Sequence, residues 1–180
     1  MRADIDELLR HIRGTEMYKR FRIIAELERY TLLTPPYEAA AVKELFLRAE
    51  QELGGRLCAD YYHFLKCCDG GLLFTNELYS ILAPEDEESD LVGVNRYLRE
   101  ESRIPKGWVA IGCTNYGAYI LTDAGGGKKM CLWDWTEEEC LAEFDDLYAW
   151  LDDVLREALF LFSTDDLPTI DDEDGVDGDD

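Results

Sequence analysis

The chain has 180 residues, enough for one domain of ordinary size with a core of its own. Hydrophobic residues make up 47% and aromatic residues 12%, a composition that offsets chain entropy, so most of the chain is expected to fold. Eighteen Lys and Arg face 40 Asp and Glu, and the formal charge of -22 repels nucleic acid and anionic membrane while steering basic proteins toward the surface.

In chain order, residues 4–13 and 16–30 read as two short helices broken at Gly14, an N-terminal helical extension with seven bases and six acids in its first 30 residues. Thr34 and Pro35 open a third helix, in which Val42, Leu45, Phe46, Ala49 and Leu53 repeat at helical spacing until Gly54-Gly55 stops it. A fourth, at about 59–68, carries Tyr61, Phe64, Leu65 and Cys68 as one stripe and ends in Asp69-Gly70-Gly71. The period then changes. Short apolar runs at 72–74 and 78–82 are strand candidates, followed by an acidic loop at 84–90 and a short helix at 91–99. A strand at 108–112 and a turn at Asn115-Tyr116-Gly117 lead into the clearest hairpin, in which strands around 119–122 and 130–133 flank the glycine triplet 125–127. Thr136-x-x-Glu139 has the form of a capping box. It is expected to open a long final helix through Leu141, Phe144, Leu147, Tyr148, Leu151, Val154, Leu155 and Leu159. Helices, then strands, then a helix define an α+β layer architecture rather than alternating βαβ. Residues 165–180 hold nine acids and no base, and are expected to form a disordered tail.

Six cysteines, Cys58, Cys67, Cys68, Cys113, Cys131 and Cys140, show no C-x-x-C spacing and suit neither zinc nor a disulfide framework. No signal-like n-region and h-region opens the sequence, and no apolar run approaches the roughly 20 residues that span a bilayer. A reduced, cytoplasmic protein is expected.

Residues that could carry chemistry are sparse. His11 and His63 are the only histidines, and neither falls in a nucleophile or zinc motif. Gly125-Gly126-Gly127-Lys128-Lys129 has phosphate-loop composition, but it joins two strands and lacks the Ser or Thr after lysine. The tail run Asp171-Asp172-Glu173-Asp174-Gly175 lacks the alternating ligands and closing Glu of a calcium loop. No catalytic, cofactor or metal residues are therefore assigned, and the chain is read as no enzyme. An enzyme built on its carboxylates would need a metal or substrate cleft among them. A protein partner, basic in charge, is the reading that remains. Its candidate contacts are the acidic loop Glu85, Asp86, Glu87, Glu88 and Asp90, the pairs Asp145-Asp146 and Asp152-Asp153 on the outer face of the final helix, and Trp133 with Trp135. The two tryptophans share one side of a regular strand, where core packing is the commoner fate and exposure would make an anchor.

Leu57-Cys58-Ala59-Asp60-Tyr61-Tyr62-His63-Phe64-Leu65, closing in Gly70-Gly71, resembles the hallmark of the SUKH superfamily of fungal cell-wall-assembly regulators and bacterial relatives. Trp108, Ile111, Gly112 and Gly117 resemble its second block, and 144–151 its closing helix; Cys58 stands where the family usually has proline. The resemblance covers roughly 34–160. It implies one α+β domain over 34–163 with a mostly antiparallel sheet of about six strands flanked by helices, between the extension at 1–33 and the tail at 164–180. It implies no shared catalytic residues. Bacterial members are commonly immunity proteins that neutralise a cognate toxin, often a nuclease, and fungal members act through regulatory protein contacts. An immunity protein for a basic toxin is thus the first functional expectation, and a regulatory or scaffold domain without a toxin the second.

Overall fold

A computed structural model of the chain describes residues 31–33, 39–81 and 90–164. The helices expected over 4–13 and 16–30, the acids Glu85 to Glu88 and the tail lie outside the described residues. Within them, seven strands form one antiparallel sheet: β1 Thr31–Leu33, β2 Gly71–Leu73, β3 Asn76–Leu78, β4 Trp108–Thr114, β5 Tyr119–Asp123, β6 Met130–Asp134 and β7 Glu139–Phe144. Each strand pairs with its neighbour in sequence, a meander in the order β1 to β7. The helices are α1 Ala39–Leu53, α2 Ala59–Leu65, α3 Leu91–Glu100 and α4 Leu147–Thr164. This is the expected α+β domain, with one strand more than anticipated. Thr31–Leu33, assigned to the extension on sequence grounds, pairs with β2 as the sheet's first strand.

The apolar stripes pack as their spacing requires. Val42, Phe46, Ala49 and Leu53 of α1 are buried, as are Tyr61, Phe64 and Leu65 of α2 and Leu147, Leu151, Val154 and Leu155 of α4. They meet the sheet face that carries Leu73, Leu78, Val109, Ile120 and Met130. At the α2 end of this face lies the Cys58 thiol, which burial pushes up in pKa. Tyr61 donates its hydroxyl to the Tyr79 carbonyl at 3.1 Å.

The family-like glycines and acid are structural. Asp69 is buried and accepts from Ser80 Oγ at 2.6 Å and from the Ile81 N–H at 2.9 Å, fastening the end of α2 to the chain beyond β3. Gly70, at φ 71°, lies so close to the following hairpin that a Cβ would sit 2.6 Å from the Leu78 carbonyl oxygen. Gly112 is tighter still: its Cβ would be 2.2 Å from the Glu77 carbonyl oxygen. It follows Ile111, the extra residue of a bulge that shifts the β4–β5 register between Ala110 and Gly112.

The final helix begins later than the capping-box pattern suggests. Thr136 to Glu138 form a turn closed by Asp134, whose Oδ1 accepts from the Thr136 N–H at 2.8 Å and the Glu137 N–H at 3.3 Å. Glu138 takes φ 52°, and the chain returns as β7 against β6. The carboxylate at the turn's first position captures the amides a helix would have used. The true N-terminal cap is Asp146, which accepts from the Ala149 N–H at 2.8 Å. Asp145 and Asp146 therefore precede α4 instead of lying on its outer face.

A half-open sheet face as candidate functional site

The sheet's second face is built from the alternate residues. Register places Leu72, Glu77, Cys113, Tyr119, Trp133 and Cys140 in one row across β2 to β7, and none of them is fully buried. One row further along, Ala110, Leu121 and Cys131 are buried. The boundary between the covered and the open part is set by α3 and the loop after it.

α3 is held by its N-cap Asp90, which accepts from the Gly93 N–H at 2.7 Å, and by a side chain that completes the sheet. β3 pairs with β4 only at Gly112 to Thr114. Beyond that point Asn95, fully buried, donates to the Ala110 carbonyl at 2.7 Å and accepts from the Ala110 N–H at 2.9 Å. Its amide thus stands in for one residue of a neighbouring strand. Arg99 adds a bond from Nη1 to the Leu53 carbonyl at 2.6 Å, tying α3 to α1.

From the end of α3 the chain crosses the open face. The Trp133 indole N–H donates to the Arg103 carbonyl at 3.1 Å. The Arg103 guanidinium lies 4.6 Å from the Trp135 ring centre and 5.1 Å from that of Tyr97. The neighbouring Tyr119 hydroxyl is the main reason the guanidinium's pKa is raised. Arg103 is thereby held among Tyr97, Tyr119, Trp133 and Trp135, with Tyr97 48% and Trp135 40% exposed. Of the acids nearby in sequence, Glu143 pairs with Cys131 and shares this face, Asp134 and Glu139 pair with each other on the opposite face, and Glu137 and Glu138 lie in the connecting turn. Next to Tyr119 in the row, the half-buried Cys113 thiol lies 3.9 Å from Glu77 and hydrogen bonds with Tyr79; burial raises the pKa of both Cys113 and Tyr79.

The sequence-based candidates divide accordingly. Trp133 and Trp135 come together on this face, half-buried and exposed respectively, so the commoner core fate does not apply to Trp135. Asp90 and Asp146 are occupied as helix caps, and Asp152 pairs with Arg156 one turn on; Asp145 and Asp153 are exposed. Leu57, Tyr61, Phe64, Leu65, Ile111 and Gly112 are buried, Trp108 is half-buried, and Gly117 takes φ 88° in the β4–β5 turn. Tyr97 and Arg103 carry no signal in the sequence, because the loop that brings Arg103 to Tyr119 has no periodic pattern. The signal available was Asn95, a polar residue spaced with Leu91 and Leu98 on the buried stripe of α3.

The arrangement can bind through aromatic rings and one oriented cation. Among the described residues no three His, Cys, Asp or Glu side chains gather to hold a metal ion, and no helix is long and apolar enough to cross a membrane. The molecule is an α+β domain on an antiparallel meander with an exposed aromatic cluster. A model of the SMI1 / KNR4 family (SUKH-1) matches residues 41–153, and the chain belongs to that family. No curated protein matches it.

Proposed function

We propose that this chain is a non-catalytic protein-binding domain, an immunity-type protein that neutralises a basic toxin domain through the half-open sheet face. The observation that carries the reading is the cluster of Tyr97, Arg103, Tyr119, Trp133 and Trp135, in which Tyr97 and Trp135 are exposed. Trp, Tyr and Arg are the residue types that dominate binding energy at interfaces, and here they are held in place before any partner arrives. The formal charge of -22 adds long-range attraction for a basic partner, of the kind a phosphate-gripping nuclease presents. Family membership supports the same reading.

Co-expression with the toxin domain encoded beside this chain tests it. Growth should be protected by the wild type and lost with the double variant Arg103→Ala, Trp135→Ala, while the purified variant keeps the wild-type unfolding midpoint. Association of the purified pair should slow steeply between about 50 and 300 mM salt. A neighbouring toxin that neither binds nor is neutralised, or binding indifferent to salt and to both substitutions, refutes the proposal.

A further inference from the structure

On the other side of the molecule lies a groove of about 390 Å³ whose floor includes Phe46, Leu57 and Tyr62. The Phe46 and Tyr62 ring centres are 5.1 Å apart, and Leu47, 54% exposed, extends the apolar surface. Its rim is basic, in a chain whose net charge is strongly negative. Lys43 projects from α1, and Arg56 stands opposite, beside the glycine turn of the β5–β6 hairpin. The Arg56 N–H donates to the Ala124 carbonyl at 2.7 Å, and Gly126, at φ 81°, packs so near that a Cβ there would lie 3.2 Å from Arg56 Cβ. That wall is therefore fixed. Lys128 and Lys129 follow the turn, Lys128 reaching to 3.9 Å from Asp60, and Lys66 sits 4.9 Å from the centre of the Tyr62 ring. Among the described residues no carboxylate forms an ion pair with Lys43, Arg56 or Lys129.

We propose that this groove is the docking site for the chain's own C-terminal segment, residues 165–180. The sequence Asp165-Asp166-Leu167-Pro168-Thr169-Ile170-Asp171-Asp172 places an apolar centre between two acidic pairs. That is the complement of an apolar floor between Lys43 on one side and Arg56, Lys128 and Lys129 on the other. α4 ends at Thr164, so the apolar centre of the segment begins three residues beyond it, and the stretch 165–172 spans roughly 26–29 Å when extended. Tethering gives the segment an effective concentration of about millimolar order at the groove, so even a weak match is occupied.

Zero-length carbodiimide cross-linking of the full-length protein at micromolar concentration, read by mass spectrometry, tests the assignment. Links from Asp165, Asp166, Asp171 or Asp172 to Lys43, Lys128 or Lys129 should dominate, within monomers and independent of protein concentration. They should fall at least fivefold in 0.5 M salt and in the variant Lys43→Gln, Arg56→Gln, the latter scored on Lys128 and Lys129. The variant Leu167→Ser, Ile170→Ser lies beyond α4, leaves the groove intact and should lower the same links. Three results overturn the proposal: links spread evenly to Lys106 and Lys19, groove links found only in covalent dimers, which would make a second copy the donor, or groove links unaffected by the Leu167 and Ile170 changes.

Discussion

Replacing Asn95 by alanine removes a side chain that is fully buried and holds both polar groups of Ala110. The Ala110 N–H and C=O would be left without partners at a position β3 does not reach. An unsatisfied buried backbone group costs about 1–3 kcal/mol, so the pair costs roughly 2–6 kcal/mol out of a total stability of about 5–15 kcal/mol. At about 2–4 °C per kcal/mol for a chain of this length, a loss near 4 kcal/mol lowers the melting temperature by roughly 8–16 °C. Asn95→Leu fills the space without restoring either bond, and is expected to recover little. Urea unfolding followed by tryptophan fluorescence gives both values, with an unchanged m showing that the denatured state is the same. A loss below about 1 kcal/mol for Asn95→Ala, or wild-type stability for Asn95→Leu, refutes the strand-completing role.

Gly112→Ala should cost at least about 2 kcal/mol because its new methyl meets the Glu77 backbone, whereas Gly117→Ala, with nothing within 4 Å of its Cβ and φ 88°, should cost only about 1–2 kcal/mol of conformational strain; thermal melts of the two side by side decide it. Burial pushes the Cys131 thiol up to about 12 from an ordinary value of 9.0. The unfolded chain therefore ionises first: the stabilisation is complete below pH 9 and declines as pH rises toward 12, by at most about 1.4 kcal/mol per pH unit for this thiol. Buried Cys58, Tyr61 and Tyr79 shift in the same direction, so urea midpoints that stay level from pH 8 to 11 would contradict the burial. Native alkylation at pH 8 should modify exposed Cys140 more than tenfold faster than buried Cys58, Cys68 or Cys131, as peptide mapping at timed intervals can show.

Where one periodicity ran without competition, the fold could be read from the residues. The 119–133 hairpin alternates cleanly around a glycine turn, and α1 and α2 keep their stripes through consecutive turns. β7 carries a helix-like pattern for a definable reason. Leu141 and Phe144 are three apart and continue into Leu147 and Tyr148 at helical spacing, while the bulge that shifts the β6–β7 register between Leu132 and Trp133 leaves Leu141 unpaired and breaks the two-residue alternation. Asp134, which decides the matter by closing the turn, acts through a local hydrogen bond that no hydrophobic pattern records. The candidate site was half legible. Strand alternation placed Trp133 and Trp135 on one side, but the loop that delivers Arg103 to them is a tertiary event. Only the burial of Asn95 hinted at where α3 would anchor.

A meander whose strands pair strictly with chain neighbours has a consequence for assembly. From β2 onward the sheet can widen by one strand at a time at a single growing margin, with each new pairing closing a loop no longer than the 29-residue stretch between β3 and β4. Loop closure of that order is inexpensive and local, so folding should be quick and should tolerate pausing during synthesis. Insertions at the strand connections would lengthen a loop without rerouting any strand, which leaves the turns free to diversify while the scaffold stays the same.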